Sequence, residues 1–393
     1  MSDTSLLEPA RAPLPLAADV HSRASVDDKD VAINAWRGIA ALLVAYFHCR
    51  QVTWIGMQQF HRSGAPFDLN ALFSYLTFPI AWGSAGVPIF FVISGYCIHR
   101  GTARRLLADP AAPFGAGNFL LRRFARIYPV LLAALLLTFA LDTLSQNFIP
   151  VSRKINPFDL HACLVNLLSL QGIAGKTYGS NGALWTLSVE VQFYLVYPLL
   201  LALRRRIGML NVLIAVGIVN VASAWLFERH EIVVFTSYWL SWTLGAWIAE
   251  AKAQGMQVDA RRAMVLRLAA IVIAAIGCVA FKFAQYAAFQ FWAIAFAVYL
   301  YQVLDRPMRN TLAVKTFSRV GEFSFSLYIV HLPIFVLLGS FMFRSALQTS
   351  IWASFWFTAV AVVVAAGFYV LVERPAMLWS ARLKGRRGVQ KLA

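Results

Sequence analysis

The chain has 393 residues, of which 60% are hydrophobic and 13% charged, and its mean hydropathy is +0.64. Soluble domains sit near ~45–50% apolar and ~25% charged, so a soluble globular fold is excluded: it has nowhere to hide this much apolar surface, whereas lipid solvates it. The 35 Lys and Arg against 18 Asp and Glu leave a net charge of +17, but the cations sit in short clusters between apolar runs, the pattern of membrane topology and not of a nucleic-acid-binding face.

Residues 1–31 are polar, rich in Pro and Ala and mixed in charge. They lack the apolar core of a signal peptide and are expected as a disordered cytoplasmic tail. A spanning helix takes about 20 mostly apolar residues. Such stretches follow at 33–52, 76–98, 124–145, 184–203, 208–227, 232–250, 264–282, 285–304, 321–343 and 350–372. The expected fold is therefore all-α, a polytopic membrane bundle of about ten helices over residues 32–376, followed by a basic tail at 377–393. The stretch 158–172 is too short to span and is expected at the interface or as a re-entrant piece. No internal repeat of the kind found in inverted-repeat transporters is visible.

Lys and Arg crowd alternate connections: Arg100, Arg104, Arg105, Arg122, Arg123 and Arg126; Arg204 to Arg206; Lys252, Arg261, Arg262 and Arg267; Arg306, Arg309, Lys315 and Arg319; and the last tail. Positive residues stay on the cytoplasmic side, so both the N- and the C-terminus are expected there, in keeping with an even number of spans. Cys49, Cys97, Cys163 and Cys278 are scattered in or beside apolar segments, with no CxxC and no metal-ligand spacing. They read as packing residues, and no metal is expected.

An ionisable residue in mid-span costs roughly 2.5–3.5 kcal/mol and so points to function by default. In the first span, Arg37 and His48 are eleven residues apart. That is close to three helical turns, so they share one face, with a rise between them of about 16 Å. In the second, Ser94-Gly95 invites the close approach of another backbone. The third is entered through Arg123 and Arg126, i and i+3 neighbours whose forked guanidiniums suit phosphate oxygens. In the fourth, Glu190 lies well inside the span, with Tyr194 and Tyr197 on its face. In the ninth, His331 reaches a depth similar to those of His48 and Glu190. Each has a structural reading as well: a snorkelling anchor for Arg37, an interhelical hydrogen bond for His48 and for His331, an ion pair for Glu190, and a topology anchor or lipid clasp for the arginine pair. Glu373-Arg374-Pro375 reads as a helix stop with a local ion pair. His21, His61, His99, His161 and His230 fall in tails, loops or span ends and are assigned no chemistry.

Taken in order, these elements resemble the acyltransferase-3 family of membrane O-acyltransferases, which modify bacterial surface polysaccharides and related glycans. The resemblance covers residues 33 to 376. It rests on Arg37 and His48, Phe91-Val92-Ile93-Ser94-Gly95-Tyr96, Arg123-Phe124-Ala125-Arg126, Trp185-Thr186-Leu187-Ser188-Val189-Glu190 with Tyr194, Ser326-Leu327-Tyr328-Ile329-Val330-His331, and Glu373-Arg374-Pro375. It implies a bacterial inner-membrane enzyme that moves an acyl group, acetyl or succinyl, from cytoplasmic acyl-CoA to a hydroxyl of a surface polysaccharide or lipid-linked glycan. Acyl-CoA is then a co-substrate and no cofactor is bound. The implied catalytic pair is His48, as general base or acyl-accepting nucleophile, with Glu190 orienting it. Arg37, Arg123 and Arg126 are implied to hold the donor, with Ser94, Tyr96, Trp185, Tyr194 and His331 in support. The extra extracytoplasmic hydrolase-like domain of some relatives is not expected. A transporter or flippase for an anionic or lipid-linked substrate is the rival reading, since it too uses buried His, Glu and Arg.

Overall fold

The computed structural model describes residues 17–64, 66–304, 306 and 311–389. Residues 1–16 of the expected N-terminal tail, 390–393 of the C-terminal tail, and Arg309 lie outside the described residues. The described part of the chain is helical and has no strand, only isolated bridges at Trp54–Gln348 and Gln171–Gly175.

The helices are α1 (Ala17–Thr53), α2 (Met57–Arg62), α3 (Leu69–Leu76), α4 (Gly86–Ala108), α5 (Ala116–Ser145), α6 (Leu160–Leu167), α7 (Leu184–Ile207), α8 (Met209–Phe227), α9 (Trp239–Ala253), α10 (Ala260–Ala280), α11 (Gln285–Val303), α12 (Leu312–Glu322), α13 (Ser324–Phe343), α14 (Trp352–Phe368) and α15 (Arg374–Val389). Among the described residues, nine helical stretches are long and apolar enough to cross a membrane. They match the expected spans except at 232–250. There a 3₁₀ turn, Phe235–Ser237, leads into α9, whose 15 residues are fewer than a spanning helix takes by itself. Its far end still meets the end of α7, where Arg204 holds Glu250. α1 is described from Ala17, within the stretch expected as a tail. The short apolar stretch at 158–172 holds the eight-residue α6, capped by Asp159 accepting from the Ala162 N–H. The expected start of the ninth span at 321 belongs instead to α12, an amphipathic helix laid against α1.

α13 lies at the centre, packed on α1, α5 and α14, and 72% of its most apolar stretch is buried. α10 leans on α11 alone among its major contacts, and only 17% of its apolar stretch is buried. Lipid is the natural solvent for such a face. Between membrane helices, association depends on close packing and on small residues, and α4 with α9 shows how close. A Cβ placed on Gly95 would lie 1.9 Å from the Trp242 carbonyl oxygen, and one on Gly245 would lie 1.9 Å from that of Val92. Glycine is required at both positions, so Ser94-Gly95 serves the packing role expected of it while Ser94 faces elsewhere.

The expected helix stop at Glu373 is corrected. The chain continues from α14 through a π-turn at Tyr369–Glu373 directly into α15. Among the described residues no ion pair holds Glu373, which is 1% exposed. Its carboxylate accepts from the Ser326 N–H at 3.1 Å and the Ser326 hydroxyl at 2.6 Å. Ser326 sits in the first turn of α13, where backbone N–H groups have no partner within the helix, so Glu373 supplies one.

Candidate active site

α1 carries Arg37 and His48, and α13 brings His331 to the second of these. His48 Nδ1 lies 2.9 Å from His331 Nε2, with the ring planes 7° apart. His331 is fully buried, and its Nδ1 lies 3.0 Å from the Leu327 carbonyl oxygen one turn earlier. Two residues further, Pro333 lacks an N–H and leaves the Ile329 carbonyl without its helical donor. Asn181, from the segment that enters α7, donates to that carbonyl at 2.8 Å and to the Thr138 hydroxyl at 3.1 Å. The part of α13 that carries His331 is thus tied to α5 and to the start of α7.

Beside the histidines lies a cavity of about 130 Å³ lined by Arg37, Arg123, Arg126, Ser94, Glu190 and Tyr194, with an apolar wall that includes Phe90 and Phe91. Glu190 accepts from Ser94 Oγ at 3.2 Å and from the Tyr194 hydroxyl at 2.5 Å. The Arg123 guanidinium sits 5.4 Å from the Phe119 ring and 5.6 Å from that of Tyr194. Among the described residues, no carboxylate comes within ion-pair distance of Arg37, Arg123 or Arg126. Three guanidiniums share a confined, largely apolar space with the single carboxylate of Glu190, and with no direct ion pair among the described residues. This excess of positive charge is costly by itself, and an anion could offset it.

Six of the residues singled out in the sequence therefore meet on one cavity. Neither histidine lines it, but Tyr328 connects the two places. It lines the cavity, accepts from the Thr186 hydroxyl at 3.0 Å, and its ring centroid lies 5.9 Å from that of His331. Tyr96 and Trp185 do not line the cavity. Tyr96 is buried in an apolar cluster with Val92 and Ile93, and Trp185 packs on Phe91, Tyr238 and Phe289. Among the described residues no hydrogen bond joins Glu190, which the resemblance implies would orient His48, to that ring: the hydrogen-bonded partner of His48 is His331. Similar depth in the membrane sets height along its normal, not the direction a side chain takes from its helix.

Sequence reasoning passed over Thr186 and Tyr328, although both stand inside quoted motifs; a hydroxyl on the same helical stretch as an assigned residue was the available signal. It also passed over His99, which is fully buried between the Tyr197 hydroxyl and Glu250 Oε1, each at 2.9 Å. Arg204 holds the same carboxylate through two bonds of 2.7 and 2.8 Å. No local signal marks that pairing, since His99 and Glu250 are 151 residues apart.

Comparison with known proteins bears on this arrangement. Over 165 residues, 39% of this chain and 42% of the other, it is 26% identical to Nodulation protein 10 of Rhizobium leguminosarum bv. viciae. The chain thus spans less than half the length of that relative. No solved structure matches it. The profile of the acyltransferase domain matches residues 30–372, which take in the paired histidines, the arginine-lined cavity and the helices from the later part of α1 to α14. On that match the protein belongs to the acyltransferase-3 family of membrane acyltransferases.

Proposed function

We propose that the protein transfers a short acyl group, acetyl or succinyl, from cytoplasmic acyl-CoA to a hydroxyl of a surface polysaccharide or lipid-linked glycan at the bacterial inner membrane. The observation that carries this reading is the set of three arginines without ion-paired carboxylates on a cavity whose wall includes Tyr328, the ring that packs on His331 of the histidine pair. The phosphates of coenzyme A are the polyanion that such a cluster suits. Guanidinium forks meet phosphate oxygens with charge-assisted bonds that an ammonium does not reproduce. The rise of about 16 Å from Arg37 to His48 along α1 suits the slender pantetheine arm, which would run past Ser94 and Tyr328. Glu190 adds one negative charge among the arginines and holds Ser94 and Tyr194 in place.

Transfer from a thioester to an alcohol needs a base at the hydroxyl, and histidine suits that work near neutral pH. In this reading His48 takes the acceptor proton as the oxygen attacks the thioester carbonyl. The C–S bond then breaks, and the CoA thiolate leaves and takes up the proton. An acyl-accepting role for His48 uses the same geometry with one further step. The acyl donor lies on the side of the arginine-rich connections, with both chain termini, and the acceptor approaches from the opposite side.

The test uses the full-length protein purified in detergent, with labelled acetyl-CoA and succinyl-CoA, and glycan analysis by mass spectrometry in a deletion strain carrying each variant. Wild type binds the donor and acylates the glycan. His48→Ala retains donor binding and loses transfer by about 10²–10⁴-fold, the usual contribution of a general base. Failure of the wild-type protein to bind or consume either acyl-CoA refutes the donor assignment. Near-normal acylation by correctly inserted His48→Ala removes His48 from the chemistry.

A further inference from the structure

We infer that His331 is the positioning residue that sets the tautomer and orientation of His48, making Nε2 of His48 the atom that acts; this rests on His48 being the base or nucleophile. The Leu327 carbonyl oxygen, 3.0 Å from His331 Nδ1, can only accept, so Nδ1 of His331 carries a proton. His331 has no exposed surface, and among the described residues no carboxylate pairs with it. A cation there is costly and the neutral ring is favoured. Neutral His331 then has a bare Nε2 lone pair, and that atom faces His48 Nδ1 at 2.9 Å. A hydrogen bond between two ring nitrogens needs one proton, so His48 Nδ1 supplies it. The neutral His48 ring is left with its lone pair on Nε2.

The ring geometry agrees. Planes 7° apart let an in-plane N–H of one ring meet the in-plane lone pair of the other. The chain of bonds runs from the Leu327 carbonyl through both nitrogens of His331 to Nδ1 of His48. This is the arrangement in which a third group fixes a catalytic imidazole and stabilises its imidazolium, with a neutral histidine where a carboxylate is more usual. When His48 Nε2 takes a proton, its Nδ1–H bond to His331 becomes charge-assisted and strengthens. His331 itself keeps the bond to Leu327 and remains neutral. Its place on the Pro333 segment, braced by Asn181, keeps the acceptor nitrogen from drifting.

The inference separates two replacements at one position. Gln places its amide where the Nε2 of histidine stood and can accept from His48 Nδ1–H through its oxygen; Leu fills similar space and accepts nothing. Loss of a hydrogen bond to a charged group typically lowers a rate by about 10- to 100-fold. His331→Leu is therefore expected to lower kcat by about 10- to 100-fold with KM for acyl-CoA within about twofold of wild type. His331→Gln should recover most of that loss. Both variants are compared with His48→Ala in the same detergent preparation, after the elution profile has established that each is folded. His331→Leu with wild-type kcat overturns the assignment, and so do Leu and Gln variants that lose activity equally with donor affinity falling alongside, which is the mark of a packing role. With His48→Ala inactive, either result strikes His331 alone. An active His48→Ala would instead strike the underlying role of His48, and the assignment would fall with it.

Discussion

Replacing Gly95 by Ala should unseat α9 from α4, although alanine is the better helix former. A Cβ at this position would sit 1.9 Å from the Trp242 carbonyl oxygen, 2.9 Å from the carbonyl carbon and 3.2 Å from the Ala246 nitrogen. All three are backbone atoms, so no side-chain rotation relieves the clash. Ordinary contact begins near 3.4 Å, and the two helices have to part by about 1.5 Å in a region packed to crystal-like density. Overpacking of this kind typically costs about 1–3 kcal/mol, and more where backbone must move. Against this stands a gain of about 0.8–1.0 kcal/mol in helix propensity. Gly101 on the same helix supplies the control, because a Cβ there meets nothing within 4 Å. Gly101→Ala collects the propensity gain without the clash. The assay is thermal unfolding of the detergent-purified protein followed by the loss of its monodisperse elution peak. Gly95→Ala is expected to unfold well below wild type, and Gly101→Ala at or above it. Because Ser94 donates to Glu190 from the neighbouring position, Gly95→Ala should also weaken donor binding, whereas Gly101→Ala should not. A Gly95→Ala protein as stable as Gly101→Ala would mean that α4 and α9 do not touch as described.

Arg123→Ala and Arg126→Ala are each expected to weaken acyl-CoA binding by roughly 1.5–3 kcal/mol, measured by calorimetry; Arg123→Lys should recover part of this, and unchanged affinity in both alanine variants would return the pair to topology anchors. Asn181→Ala leaves the Ile329 carbonyl without its donor and should cost about 1–3 kcal/mol of stability. In a Pro333→Ala background, where the helix supplies the missing N–H, the same substitution should cost clearly less, and equal costs in the two backgrounds would refute that account. A reporter active in the cytoplasm should work when fused after the C-terminus or within the 252–262 connection, and one active in the periplasm near Arg62. Opposite labelling at two of these sites would overturn the proposed orientation.

Much of the architecture was legible because its causes are local. An apolar run long enough to cross a bilayer has no cheaper state in lipid than a helix, so the spans could be read from composition and length. Arg37 and His48 could be placed on one face because helical periodicity is a property of a single segment. The glycine in Ser94-Gly95 could be read as a contact point because few other features of a membrane helix call for that residue. The stretch at 232–250 reads as one continuous helix because the approach to α9, a 3₁₀ turn in the fold, continues the same hydropathy.

What neighbours what across the bundle is a different question. His48 and His331 are 283 residues apart, and Ser94 and Glu190 are 96 apart. Each helix can rotate about its axis and slide past its neighbours without changing its own hydropathy, so similar depth leaves open which side chain His48 meets. The rotation is set by contacts that exist only in the assembled bundle: a glycine admitting α9 against α4, Asn181 satisfying the carbonyl that Pro333 exposes, and Glu373 reaching the first turn of α13. The sequence by itself therefore determined that this is a membrane helix bundle with Arg37, Arg123, Arg126, Glu190 and two histidines at unusual positions. Only the tertiary structure decided that the arginines share a cavity with Glu190 and that the histidines pair with each other, because a helix encodes its own faces but not the partner each face will meet.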